Sequence, residues 1–407
     1  MENRKRKWVT DGLVLTMILV APVVYAVTAT EAPAGFDNLT NGFETQAQMD
    51  LDRAHFDEFE TIADGLGPVY NAQACRECHQ NPVSGATSQV TELRAGRTDA
   101  NGNFVDRPGG SLNNDRAINA AIQERVAGLD TVVDLRSSLN ILGDGFVEAI
   151  ADSTFTTIRN GQPSGLKGQI INVPLSEAPG QTRVARFGWK NQQASLLSFA
   201  ADAYLNEMGI TSPLQPTENT SNGASVAAYD TVADPEDPAT VADPQGTDVN
   251  AFTRFMRSTK VPPRDTVVAA TSDSIAGASL FNSIGCNICH VTQIQTAPTG
   301  TVVNGGKFTI PAALGDKIIH PYSDFMLHDV GTGDGIVQNG GQSTAFKLRT
   351  PPLWGLRTRA RFMHDLYNVT RNNAILRHTN EAEPVIDNYI FLSTTQQNQI
   401  ITFLNSL

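Results

Sequence analysis

Cys75, Cys78 and His79 form one Cys-x-x-Cys-His unit, and Cys286, Cys289 and His290 form a second. Together the two units use all four cysteines of the 407-residue chain. Four chemistries compete for them. A structural zinc site would take two thiolate pairs, but each pair here is followed at once by His, and the separation far exceeds finger spacing. Disulfides are open to an exported chain. A thioredoxin-like redox pair needs a βαβ context that the sequence lacks. Covalent haem attachment takes both thiols as thioethers and the adjacent His as an iron ligand. Two complete units with no cysteine to spare favour this last chemistry. The expectation is two covalently bound haem c groups, attached at Cys75, Cys78, Cys286 and Cys289, with His79 and His290 as proximal iron ligands.

The sixth iron ligand and its surroundings decide what a haem does. Five further histidines are available: His55, His320, His328, His364 and His378. On the residues alone, His378 in the polar RHTNEAE stretch reads as a surface side chain, and most apolar-face methionines read as packing.

The elements that must position these groups read as mainly α. Residues 192–209 form a helical pattern stopped by Gly209. Ile275, Leu280 and Ile284 mark a helix face leading into the second unit. Ser393 and Gln396 make a capping-box pattern before a face of Ile400, Ile401 and Leu404. Segments 81–115 and 292–318 read as long loops. The expected organisation is a signal peptide over 1–26, a first haem domain over 36–215, an acidic loop or linker over 216–248, and a second domain over 249–407. The linker carries Thr-Val-Ala-Asp-Pro twice, and its Pro, Asp and Gly break regular structure. Both globular stretches are expected to be cytochrome c-like domains with long loops.

Arg4, Lys5, Arg6 and Lys7 precede an apolar run over 12–27 and small-residue cleavage sites, the layout of a secretory signal. The alternative is a retained anchor, although the run is short for a membrane span. The expectation is an exported periplasmic protein with no stable membrane span after cleavage. A net charge of −12 argues against nucleic acid and for a small basic partner. A small donor cytochrome or cupredoxin fits that role.

Residues 349–378, RTPPLWGLRTRARFMHDLYNVTRNNAILRH, resemble the segment after the second haem unit in bacterial di-haem cytochrome c peroxidases. They are closer still to the related di-haem oxidoreductase family of putative peroxidases. PYSDFMLHDVGTGDG (321–335), GDGFVEAI (143–150) and RFGWKNQQASL (186–196) resemble that family as well. The resemblance implies that the second haem's distal ligand follows His364 by fourteen residues, which is His378. Typical peroxidases of the superfamily place a displaceable His after the first unit, but residues 89–97 here hold none, so an open or weakly filled site is expected on the first iron. The resemblance implies a glutamate in the first domain to move protons, for which Glu148 is the candidate. Trp189 is the candidate electron relay between haems, and Arg349 the candidate partner of a haem propionate. Calcium between the haem domains is implied by resemblance only, because no carboxylate loop of calcium-binding spacing is present. The function implied is a peroxidase-like oxidoreductase that moves electrons from a donor through the second haem to hydrogen peroxide at the first. A plain di-haem electron carrier, or an oxidase modifying a protein or small molecule, are the alternatives.

Overall fold

The computed structural model describes residues 28–234 and 247–407. The signal-peptide reading of 1–26 and part of the acidic linker lie outside the described residues.

The main core gathers around the first Cys-x-x-Cys-His unit. Helices Gln46–Asp57, Leu196–Met208 and Asp248–Ser258 supply it. Phe56 meets Phe255 at 4.8 Å and Phe252 at 6.3 Å between ring centroids, and Tyr204 meets Phe252 at 5.1 Å. Helix Asp248–Ser258, placed by sequence at the start of the second domain, is thus packed beside the first unit. Arg254 grips the buried Asp52 from it with a 2.6 Å ion pair.

A second core lies under the other unit. Helices Ser272–Ser283 and Thr394–Leu404 cross closely there, burying Phe281, Ile400 and Phe403. Their approach needs Gly277, because a Cβ there would sit 2.0 Å from the Gln399 carbonyl oxygen. The buried face is Ser274, Gly277 and Phe281, while Ile275, expected to face inward, is exposed. Gly209 does stop its helix, with φ +70°, and Ser393 and Gln396 form the expected capping box.

The mainly-α expectation is overturned. Helix accounts for 32% and strand for 15%, so the fold is mixed α/β. The chief departure is a four-stranded antiparallel sheet, three of whose strands lie within the segment 81–115 read as a loop. Strand Thr91–Thr98 lies at its centre, pairing with Phe104–Asp106, Leu112–Asn113 and Val132–Ser137. The physical reason is an inverted pattern. Glu92 and Arg94 alternate onto the inner face, with Arg136 opposite Glu92, and all three line a cavity. Val133 and Leu135 face solvent. A sheet whose inner face is charged gives no apolar alternation to read.

Candidate functional site

Each Cys-x-x-Cys-His unit opens into its own cavity. The first occupies the single helical turn Cys75–Cys78, capped by His79. His79 Nδ1 lies 3.2 Å from the Ala86 carbonyl oxygen, which turns Nε2 towards the cavity as an iron ligand requires. Burial pushes His79 down to about 4, so the ring is neutral and has a lone pair to give. Burial also pushes Cys78 and Cys286 up to about 12, and raises Cys75 and Cys289, so these thiols are uncharged.

The second unit follows Gly285 and forms the 3-10 turn Cys286–Ile288. His290 Nδ1 lies 3.0 Å from the Tyr322 carbonyl oxygen. His378, just past helix Arg371–Leu376, holds Nδ1 2.8 Å from the Ala374 carbonyl oxygen. His290 and His378 line the same cavity, each with Nε2 left free by its backbone bond. Burial lowers both, His290 to about 4.

The cavities are unlike. The first has a volume of about 570 Å³ and His79 as its one histidine; charged groups of the unexpected sheet line it. The second has about 210 Å³ and mostly apolar walls. Trp354 Nε1 and Arg371 Nε sit buried in it without a hydrogen-bond partner, and burial pushes Arg359 down to about 10. Unmatched donors in an apolar slot fit a flat apolar group that carries carboxylates, which describes haem. The two cysteine pairs line separate cavities and all four thiols are free, so a zinc site shared between the pairs does not fit.

Trp189 and Arg349 line both cavities and form the wall between them. Trp189 Nε1 donates to the Ser137 carbonyl at 2.8 Å, and its ring meets His364 edge-on at 6.0 Å. The Arg349 backbone N–H donates to the Trp189 carbonyl at 2.7 Å, and its Nε to the Gly188 carbonyl at 2.9 Å. Burial pushes its guanidinium down to about 10.

Glu148 lines neither cavity. It is wholly buried, paired with Arg257 at 2.7 Å and 3.0 Å, and accepts from the Leu196 N–H and from Asn304 Nδ2. Burial acts to raise it, but Arg257 prevails and holds it below the usual range. A carboxylate so occupied cannot exchange protons with a ligand. Its role here is to tie its helix to Asp248–Ser258.

Two other carboxyls do face the first cavity. Asp144, one turn before Glu148, has no side-chain hydrogen bond among the described residues, and burial pushes it up to about 7. Glu207 faces Glu92 across the first cavity and accepts from Asn71 Nδ2 at 2.8 Å. Arg94 grips Glu92 at 2.8 Å and 3.1 Å and keeps it ionised against the opposing effect of burial. Burial, then the Glu92 charge, pushes Glu207 up to about 8, so Glu207 carries the proton. The sequence held a signal for it: Glu207 stands in line with the inward-facing Leu196, Ala200 and Tyr204 of its helix.

His55 is half-exposed and pairs with Asp248 at 3.1 Å, outside both cavities. Met363 lines the second cavity and Met326 packs in the core outside it. Two clusters among the described residues have metal-ligand proximity: Cys289 with Asp324 and His328, and Asp134 with His364 and Asp365. Neither is the all-oxygen cage that calcium takes, and Asp365 is already held by Arg377 at 2.5 Å.

A chain with two such cavities, one per Cys-x-x-Cys-His unit, is built as a di-haem protein. The family model described as "Di-haem oxidoreductase, putative peroxidase" matches residues 111–407, and the chain belongs to that family. It is thus a di-haem oxidoreductase, an enzyme of a peroxidase family. Among solved structures, it is similar to a hydrazine synthase from Kuenenia stuttgartiensis, at 12% identity over all of both chains with a TM-score of 0.43. It is similar to a MauG-like protein associated with microbial copper homeostasis, at 13% identity over 94% of each chain with a TM-score of 0.41. The diheme peroxidase BthA of Burkholderia thailandensis gives 14% identity over 94% of this chain and 95% of that one, with a TM-score of 0.42. No curated protein matches significantly.

Proposed function

We propose that the protein is an exported, periplasmic c-type di-haem peroxidase that reduces hydrogen peroxide with electrons from a small donor cytochrome or cupredoxin. The observation that carries this reading is the asymmetry of the two cavities. Haem bound in each would supply a redox centre, and the chain dictates what each can do. Cys75 and Cys78 would hold the first group by thioethers, with His79 as its ligand. Among the described residues no second histidine lines that cavity, which leaves room there for peroxide. Cys286 and Cys289 would hold the second group, with His290 and His378 as its ligands, a pairing that suits electron transfer. Trp189 stands in the path between them. Arg349 offers its charge to a propionate at the shared wall.

Reduction of hydrogen peroxide to two waters takes two electrons and two protons. Glu207 takes the proton-moving role in place of Glu148, since it faces the first cavity and carries an exchangeable proton. Burial and the Glu92 charge keep that proton on Glu207. Calcium has no part in this reading.

The test is expression with c-type haem maturation, then mass spectrometry and a peroxide-reduction assay with a reduced small donor. Two haems retained after denaturation and peroxide-dependent donor oxidation are expected. Haem lost on denaturation would remove the covalent attachment. Two retained haems that exchange electrons but ignore peroxide would leave an electron carrier.

A further inference from the structure

One cluster beside the second cavity has no place in the scheme above. His328 is only 2% exposed and lies at the cavity rim, its Nδ1 3.8 Å from Cys289 Sγ. Its Nε2 faces Asp324 Oδ2 at 2.8 Å, and its Nδ1 faces Glu381 Oε2 at 3.0 Å. Carboxylates only accept, so both ring nitrogens must carry hydrogen and the ring is an imidazolium. Burial opposes that charge, but the two carboxylates prevail and raise His328 well above the ordinary range. No lone pair is left for a metal ion, which removes the Cys289, Asp324 and His328 cluster as a metal site.

One carboxylate comes from the segment that braces His290, the other from the segment that carries His378. Asp324 follows Tyr322, whose carbonyl fixes His290, and the Asp324 N–H donates to the Cys289 carbonyl at 2.8 Å. Glu381 follows His378 by three residues. The same stretch is laced to the His328 segment by Thr379 N–H to the Val330 carbonyl at 2.9 Å and Glu381 N–H to the Asp329 carbonyl at 3.0 Å. Gln162 also holds Asp324 at 2.7 Å, and Lys347 pairs with Glu381 at 3.4 Å. Charges therefore alternate along Lys347, Glu381, His328 and Asp324, with His328 Nδ1 3.8 Å from Cys289 Sγ.

We propose that His328 is a positioning residue of the second haem: a fixed imidazolium that straps the His290 and His378 segments together and presents positive charge to the haem's attachment edge. The strap rests on the bis-histidine reading above; the charge rests only on attachment at Cys289. A positive charge at this distance in a poorly screened site disfavours the oxidised, more positive iron. It raises the reduction potential and so offsets the lower potential that two histidine ligands give compared with His/Met.

The test compares haem-loaded wild type with His328→Gln and Glu381→Gln by spectroelectrochemical titration and electron paramagnetic resonance. Expected for His328→Gln is a shift of about tenfold in the second haem's reduction equilibrium towards the oxidised form, or about 59 mV for one electron. Glu381→Gln removes a negative charge from the half-buried end of the row, and is expected to shift the equilibrium the opposite way. Opposite signs separate charge from structural damage, which would move both variants alike. An unchanged potential in His328→Gln, or shifts of the same sign, would overturn the proposal. Should His328→Gln not hold haem, Glu381→Gln decides alone: a raised potential supports, an unchanged or lowered one overturns. A wild-type spectrum without a bis-imidazole line would sink the bis-histidine reading and the strap with it, independently of the potentials.

Discussion

The two cavities share a Cys-Cys-His rim and differ in almost everything else. The first is wide, is lined by charged residues of a sheet, and contains one histidine and the Glu207 carboxyl, which burial pushes up to about 8. The second is narrow and mostly apolar, and of the four histidines that line it, His290 and His378 keep Nε2 free of any protein partner among the described residues. The attachment unit fixes where a haem goes, but the walls fix what it does. Space and exchangeable protons belong with substrate chemistry; close apolar walls and filled axial positions belong with electron transfer. Trp189 and Arg349, shared by both, make the contrast useful by joining the two sites.

The largest break would come from removing one half of the pair. Replacing Cys75 and Cys78 together by Ala is expected to halve the covalent haem, seen by mass, and to abolish peroxide reduction, while the low-spin signal of the second site persists. Next comes Glu207→Gln, which keeps the shape and removes the exchangeable proton. A fall of about 10²–10⁴-fold in turnover is expected, measured in steady state, with haem spectra unchanged. The wild-type pH profile sharpens the same point. Glu207 is raised, so it is protonated below about 8 and loses the proton above it; turnover is expected to fall as pH rises through that value. Glu148→Gln should act on the other axis. Breaking its buried pair with Arg257 is expected to cost about 3–5 kcal/mol of stability, read as a lower Tm, with turnover of the folded enzyme unchanged. The smallest effect is expected from Trp189→Phe: both haems retained, with slower electron passage from the second site to the first in stopped-flow reduction.

The sequence disclosed the parts whose chemistry is local. Cysteine spacing marks both Cys-x-x-Cys-His units, Gly209 marks a helix end, and Ser393 with Gln396 marks a helix start, because each is set by neighbours along the chain. His378 was legible only through resemblance; by itself it sits in a polar stretch, and burial arises from helix Arg371–Leu376 folding over the second cavity. The sheet around Thr91–Thr98 escaped because its cavity face carries Glu92 and Arg94 rather than apolar residues. That one reversal also hid the pairing of charges around Glu207, since Glu92 faces it only across the fold. Glu148 drew notice by its motif, yet Arg257, over a hundred residues away, takes up its charge. Ile275 failed for a related reason: the tight crossing at Gly277 needs small residues inward, so the larger side chain faces solvent.

The most direct test of the asymmetry is the electron paramagnetic resonance spectrum of the oxidised, haem-loaded protein, before and after one equivalent of hydrogen peroxide. One high-spin signal that responds to peroxide, beside one low-spin bis-imidazole signal that holds its ligands, is the expected result. Two low-spin signals that peroxide leaves untouched, before and after partial reduction, would contradict it.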